Sequence, residues 1–368
     1  MLLRNTRCIK RWDGLLVACR YVSTEYLTAG LKDLHKLQQN QKEPSKPSRS
    51  KASIKEEFLK QSNLKGIKPY ELTKAFLDDA YGAITPKQLS FSQTFWNNAK
   101  INLDYTIGSI DQIPDIKYEH LLEQRFRKIE ENPQQNQHLI RSKKTFGIKP
   151  ELLKPLPEVL FLGHTNAGKS SIINNIFSKK SDLSNEPLAF VSRRAGFTKT
   201  LNGFSISKKL RLIDSPGYGE FGEEKQGKAV LDYLATRNLL RRVFVVVDGK
   251  EGFRDEDLQI IDHLILNGIP FEIILTKVDL IISRIMGNTI SSNKLGNLNK
   301  SQVIELVKQA NSQIINYYQK MLTDANVLNI ATLPKILFTN NSTNKYIQTC
   351  FGNRELRYNI LQSCGLID

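Results

Sequence analysis

The residues Gly163, His164, Thr165, Asn166, Ala167, Gly168, Lys169 and Ser170 follow the pattern G-x-x-x-x-G-K-[ST]. That spacing suits one chemistry, the wrapping of a nucleoside triphosphate's phosphates by backbone N–H groups. Gly163 and Gly168 let the backbone come close, and Lys169 places a cation beside the β and γ phosphates. Ser170 offers a hydroxyl to a metal ion, and Ser171 stands in the first turn of the helix that must follow. The motif needs a strand before it and a helix after it. The apolar run 159–162 reads as a buried strand, and 171–177 as the start of an amphipathic helix.

Two later stretches add to this. Asp214-Ser215-Pro216-Gly217 comes directly after an apolar strand. An aspartate there can hold magnesium, directly or through water, and the Gly217 N–H can meet a γ phosphate. Thr276-Lys277-Val278-Asp279 also ends a buried strand. Asp279 can accept two hydrogen bonds from guanine's N1 and exocyclic amine, a donor pair that adenine lacks. Lys277 can pack its stem over the base. Between the phosphate loop's helix and the strand that follows it, Thr198 is the candidate for a mobile threonine completing the magnesium shell, with Thr200 as its rival. Ser170, Thr198 and Asp214, with phosphate oxygens and water, make a plausible octahedral Mg²⁺ site.

Elements that position these residues alternate along the second half of the chain. Strands are predicted at 201–207, 210–213, 243–247, 271–275 and 335–338, and helices at 255–266, 301–322 and 354–364. This is an α/β class with a mostly parallel sheet between two helical layers. Residues 286–299, rich in Ser, Asn and Gly, read as an inserted surface loop. Upstream, helices are predicted at 71–81 and 118–131, and Phe91, Phe95 and Trp96 form an aromatic cluster. The organisation expected is a presequence at 1–23, a polar linker at 24–70, a helical extension at 71–150 packing on or near the main domain, and the nucleotide domain at 151–368.

The chain carries +16 at neutral pH, with 27 of its basic and 17 of its acidic residues before Glu158. That excess favours a polyanionic partner, RNA or an anionic membrane surface, unless the lysines are merely solvated. Residues 1–23 hold five basic residues and a single acid, Asp13, beside an apolar side, the composition of a mitochondrial presequence. No 18-residue apolar run suggests a spanning helix. The four cysteines show neither C-x-x-C spacing nor a nearby histidine and are expected as free thiols.

The phosphate loop, Asp214-Ser-Pro-Gly-Tyr-Gly219 and Thr276-Lys-Val-Asp279 resemble the translation-factor-related P-loop GTPases, and within them the EngB (YihA) ribosome-assembly family, in particular its mitochondrial members. The stretches Pro157-Glu158-Val159 and Gly196-Phe-Thr-Lys-Thr-Leu-Asn202, together with Asp248-Gly, Asp255 and Asp257, carry the more specific likeness. The resemblance implies a three-layer GTPase domain, preceded here by a partly disordered, partly helical basic extension. It implies a GTP- and Mg²⁺-dependent switch in the mitochondrial matrix, acting on the large ribosomal subunit or its RNA in assembly or translation. A scaffold with negligible hydrolysis and a GTPase peripheral to the inner membrane are the alternatives. No DNA partner is expected, and the oligomeric state is left open.

Departures from the family pattern fall at His164, Thr165 and Ala167, outside the minimal phosphate-binding set. The family's last base-binding motif is replaced by Thr339-Asn340. Tyr218 follows Gly217 where many GTPases place a water-orienting glutamine, so hydrolysis is expected to be slow alone. Asn166 either braces the loop or, as the broader group implies, coordinates a K⁺ ion that substitutes for an arginine finger. Lys169, Thr198, Gly217 and Asn166 are thus the candidate catalytic residues.

Overall fold

The computed structural model describes residues 66–77, 81–131, 145–178, 200–219, 224–291, 300–331, 334–344 and 346–367, with two short pieces near the start. The chain divides into two units, Met1–Lys51 and Ala52–Asp368. The described part of the first is an antiparallel pairing of Arg11–Trp12 with Leu15–Leu16. Apart from those four residues the expected presequence, and most of the expected linker, lie outside the described residues, as do Thr198 and two of the cysteines, while Cys350 and Cys364 are free.

The second unit starts with helices α1 (Pro69–Phe76) and α2 (Pro86–Asn98), strand β1 (Ile101–Ile107) and helix α3 (Pro114–Glu131). Then come β2 (Glu158–Gly163), α4 (Lys169–Phe177), β3 (Leu201–Ile206), β4 (Leu210–Asp214), α5 (Glu224–Thr236) and β5 (Leu240–Asp248). The remainder is α6 (Asp255–Leu266), β6 (Phe271–Thr276), α7 (Val278–Ser291), α8 (Lys300–Asp324), β7 (Ile336–Phe338) and α9 (Asn353–Ser363). Seven strands form one sheet in the order β1-β3-β4-β2-β5-β6-β7. The β4–β2, β2–β5, β5–β6 and β6–β7 pairings are parallel, whereas β3 pairs antiparallel with both β4 and β1. The central strands are apolar runs because helices cover both faces. Every residue of β2 and β6 is buried, and two apolar clusters fill the space on either side.

The upstream segment is more than the helical extension expected. Its strand β1 pairs with β3 along one sheet edge. At the other edge, the Thr73 hydroxyl of α1 accepts a hydrogen bond from the Phe338 N–H of β7 at 3.0 Å. Leu72 is wholly buried there, and the Phe76 ring lies 5.5 Å from that of Phe338. An uncovered edge would present unpaired backbone groups to other chains, and this segment attends to both. The linker also ends earlier than residue 70, since Ile67 is buried with its N–H on Asn311 Oδ1 at 2.9 Å. Helix α2 packs on α9, where the Trp96 indole donates to the Arg357 carbonyl at 3.1 Å.

The predicted loop from Met286 is corrected for its first part: α7 continues to Ser291, and 292–299 lie outside the described residues. Ser, Asn and Gly are poor helix formers, but Ile281, Ile282 and Met286 are fully buried. Packing outweighs intrinsic propensity there.

At the start of β2, Glu158 is completely buried between two arginines. Arg211 Nη1 stands 2.7 Å and Arg237 Nη2 2.6 Å from Glu158 Oε1, and the Tyr233 hydroxyl donates to Oε2. One carboxylate cannot neutralise two guanidinium groups. The remaining charge is met from the upstream segment, by Asp104 of β1 on Arg211 (3.0 Å) and Asp115 of α3 on Arg237 (2.7 Å). Burial alone would raise the Glu158 pKa, but Arg237 first, then Arg211 and Tyr233, outweigh it and hold the carboxyl below its ordinary value. Glu158→Ala is expected to cost about 3–5 kcal/mol, because two buried cations then face each other without their shared partner. The native contribution of Glu158 is present above its unfolded pKa and is lost as pH falls through the lower folded value. Denaturant titration of the full chain checks both, and a variant within 1 kcal/mol of wild type (~1, the size of an exposed pair) would contradict this.

Candidate functional site

The loop between β2 and α4 is shaped by backbone conformations that most residues avoid. Asn166 has φ 66° and Gly168 φ 101°, the latter forming the N-cap of α4. A Cβ on Gly163 would overlap the carbonyl oxygen of Val246 on β5, so the strand-to-loop exit requires glycine. The loop curls over Lys169, which is 6% exposed and donates to the carbonyls of Gly163 (2.8 Å) and His164 (3.1 Å). Burial pulls the Lys169 pKa down to about 8, against the opposing fields of Asp214 and Asp257.

Asp214, at the end of β4, is 1% exposed. Its Oδ2 accepts from the Ser170 hydroxyl at 3.1 Å, and its Oδ1 is buried without a hydrogen-bond partner. Burial pushes its pKa up to about 6, with Lys169 and the Ser170 hydrogen bond pulling the other way. A buried, orphaned carboxylate oxygen beside a serine hydroxyl is a hard oxygen donor set of the kind magnesium takes. The residues present fit that ion.

Gly217 approaches the phosphate loop closely, since a Cβ there would lie 2.8 Å from Thr165 Cα. The Thr165 N–H and hydroxyl both donate to the Tyr218 carbonyl, at 2.9 and 3.1 Å. Beside this contact stands a cluster to which the sequence reading assigned no chemistry. The Tyr218 hydroxyl donates to Asp257 at 2.6 Å, and Asp257 accepts the Arg254 N–H at 2.9 Å at the start of α6. Arg254 Nη1 lies 3.0 Å from His164 Nε2, and Gly219, with φ 103°, has no room for a Cβ against the His164 ring. A cation at the start of α6 thus stands next to His164, one of the positions where this chain departs from the family pattern. Asp257 was legible as a first-turn acid, but nothing local to Arg254 signalled its reach.

The base-side turn is tied directly to the phosphate loop. Thr276 Oγ1 donates to the Ala167 carbonyl at 2.7 Å, joining the end of β6 to the phosphate loop. Lys277 sits at φ 53° with its ammonium 2.6 Å from Asp248. Asp279 lies in the first turn of α7, is 5% exposed, and has its pKa raised by burial. Thr339 and Asn340 follow β7 beside this turn, with the Thr339 N–H on the Leu275 carbonyl at 2.9 Å. Asn340 spends its side chain on its own loop, donating to the Ser342 and Thr349 carbonyls and accepting the Phe351 N–H. Asn166 is exposed, and Ser170 and Ser171 are half-buried in the first turn of α4. Of the predicted set, Thr198 alone falls outside the described residues; Thr200 is described and sits against Asn202.

A parallel sheet whose strand ends carry a phosphate loop, an orphaned aspartate and a Thr-Lys-x-Asp turn defines a P-loop GTPase domain. Residues 158–277 match the family described as "50S ribosome-binding GTPase". The chain is 34% identical to MIOREX complex component 8 of Saccharomyces cerevisiae over 273 residues, 74% of this chain and 73% of that one. It is 37% identical to a probable GTP-binding protein EngB of Thermotoga petrophila over 150 residues, 39% of this chain and 72% of that one. It also aligns with the solved structure of a probable GTP-binding protein engB at 18% identity and TM-score 0.31, over 56% of this chain and 98% of that one. The chain belongs to the EngB family of P-loop GTPases. The match to the yeast protein is longer than the chain from Glu158 to its end, so part of the upstream segment is shared with it.

Proposed function

We propose that this protein is a slow GTPase switch of the mitochondrial matrix that docks on the large ribosomal subunit, in its assembly or in translation. One observation carries the reading: Lys169, Asp214 and Asp279 are all buried at one end of the sheet, and Asp214 keeps an oxygen with no partner. Burying charge without a partner is costly, so such an arrangement suits a ligand that supplies phosphate, metal and base donors together. Lys169 would meet the β and γ phosphates, with backbone N–H groups from Gly163 to Ser171 around them. Asp279 would read guanine, with Lys277 packed over the base and Thr339 and Asn340 beside it through their backbone. Ser170, Asp214 and Thr198 would hold Mg²⁺, which when bound neutralises charge developing on the transferring phosphoryl group. Loss of the γ phosphate would release Gly217 and Thr198, and that movement is the output.

The name of the family's domain supports a ribosomal partner, and the acid-poor first 23 residues support the mitochondrial address. No helix among the described residues is long and apolar enough to cross a membrane. Tyr218 favours slow turnover, since its hydroxyl is engaged with Asp257 and it has no amide to hold water. A scaffold with negligible hydrolysis is the second reading, and the same tyrosine supports it.

Sedimentation of the mature protein from mitochondrial lysate tests the switch. Comigration with the large subunit in a non-hydrolysable GTP analogue, and not in GDP, is the expected result; a protein that stays at the top of the gradient in both removes the ribosomal reading. Asn166, exposed on the loop, is offered as a K⁺ ligand that offsets charge in the absence of an arginine finger. Multiple-turnover rates with large subunits should then be several-fold higher in K⁺ than in Na⁺ at equal ionic strength. Equal rates would leave Asn166 as a brace only, and turnover at background in both salts would favour the scaffold.

A further inference from the structure

The upstream segment builds a second feature, away from the phosphate loop. An open groove of about 750 Å³ runs along the outer side of β1. Its walls are β1, the start of α3, the stretch from Gly147 to Leu156, and the turn between β3 and β4. Four lysines line it, Lys117, Lys149, Lys154 and Lys208, and all four are exposed.

The groove also holds two acids, and both are already committed. Asp104 is held by the Arg211 guanidinium at 3.0 Å and by the Ser205 hydroxyl at 2.6 Å. Glu151 pairs with Lys208 at 2.7 Å. Lys117, Lys149 and Lys154 make no ion pair among the described residues, so the groove keeps a net positive field. Like charges gathered on one concave face repel each other unless something anionic lies among them.

The kind of anion follows from the lining. Lysine ammonium groups on flexible stems act as point charges, suited to phosphates spaced along a backbone more than to one bidentate carboxylate. An aromatic pair stands at the same end, Tyr118 and Phe146, but the two rings pack edge to face at 5.8 Å and offer no open platform for a base. β1 is an edge strand, paired on one side by β3 with an irregularity between Leu103 and Tyr105, and its Asn102, Leu103 and Asp104 line the groove.

We propose that this groove binds the phosphodiester backbone of RNA, without reading its sequence, through Lys117, Lys149 and Lys154. The inference rests on the ribosomal reading for where that RNA would be met, and it assigns the contact to the upstream segment and not to the nucleotide end.

The test uses the full chain and a labelled hairpin of large-subunit ribosomal RNA. Three proteins are compared: wild type, a groove variant carrying Lys117→Gln, Lys149→Gln and Lys154→Gln, and a control carrying Lys87→Gln, Lys228→Gln and Lys320→Gln. The control loses the same charge at exposed positions elsewhere. Equal thermal midpoints establish that all three fold. Each phosphate contact contributes about 0.7–0.9 to the slope of log affinity against log salt, so three contacts make wild-type affinity fall roughly 20- to 40-fold more than the groove variant's between about 50 and 200 mM salt. The control should follow wild type. A wild type that does not bind the hairpin, or a groove variant indistinguishable from the control, overturns the proposal. So does an equal or larger loss on vesicles of anionic phospholipid, which would make a membrane the occupant. If wild type binds RNA through the groove yet never sediments with large subunits, the ribosomal reading fails and the groove stands.

Discussion

Glu158 carries its charge with no exposed surface, and the domain is arranged around that fact. Strand β2 runs from this carboxylate at one end to the phosphate loop at the other. Two arginines share the carboxylate, from β4 and from the residue following α5, and each needs a second acid that the nucleotide domain does not provide. Asp104 and Asp115 come from the upstream segment, which is therefore integral to the fold. The same segment supplies the edge strand on one side, β1 on β3, and lays α1 along the other, with Thr73 on β7.

The two ends of the sheet contrast electrostatically. Around Glu158 the carboxylate and both arginines each meet more than one partner. Around Lys169 and Asp214 the charges are buried with few, and burial drags the two pKa values toward each other, Lys169 down to about 8 and Asp214 up to about 6. Among the described residues Asp214 Oδ1 has no partner, and Lys169 has only the Gly163 and His164 carbonyls, so this end keeps interaction capacity that a tightly bound phosphate and metal would use. The links between segments at this end are hydrogen bonds more than apolar packing. Thr276 joins the base turn to the loop, Thr165 joins the loop to Tyr218, and Tyr218 joins α6 through Asp257.

Legibility in the sequence followed locality. The phosphate loop, Asp214 and the Thr-Lys-x-Asp turn each sit in a short run with a strand before it, and the central strands are unmistakable apolar runs because both their faces are covered. α6 occupies the predicted span, Asp255–Leu266. Strand β1 was missed although Ile101, Leu103, Tyr105 and Ile107 alternate with polar residues, the period of a half-buried strand; its partner lies about a hundred positions on, with Ile101 opposite Ile206. α7 was not predicted, and its last residues were read into the 286–299 loop, because intrinsic propensity misleads where packing decides. The Glu158 cluster and the approach of Arg254 to His164 join positions far apart in the chain, which no local pattern reveals. Thr198 belongs to a stretch outside the described residues, and its role stays a proposal from the motif.

The most direct measurement is calorimetric titration of the full chain with GTP and with ATP, each with and without Mg²⁺, and again with Asp279→Asn. A pocket built on Asp279, Lys169 and Asp214 predicts that GTP binds more tightly with Mg²⁺ and that ATP is at least about a thousandfold weaker, because it leaves the Asp279 carboxylate unpaired. It also predicts that Asp279→Asn trades GTP for xanthosine triphosphate. Equal affinity for GTP and ATP, or guanine preference unchanged in the variant, would contradict the assignment of this end of the sheet.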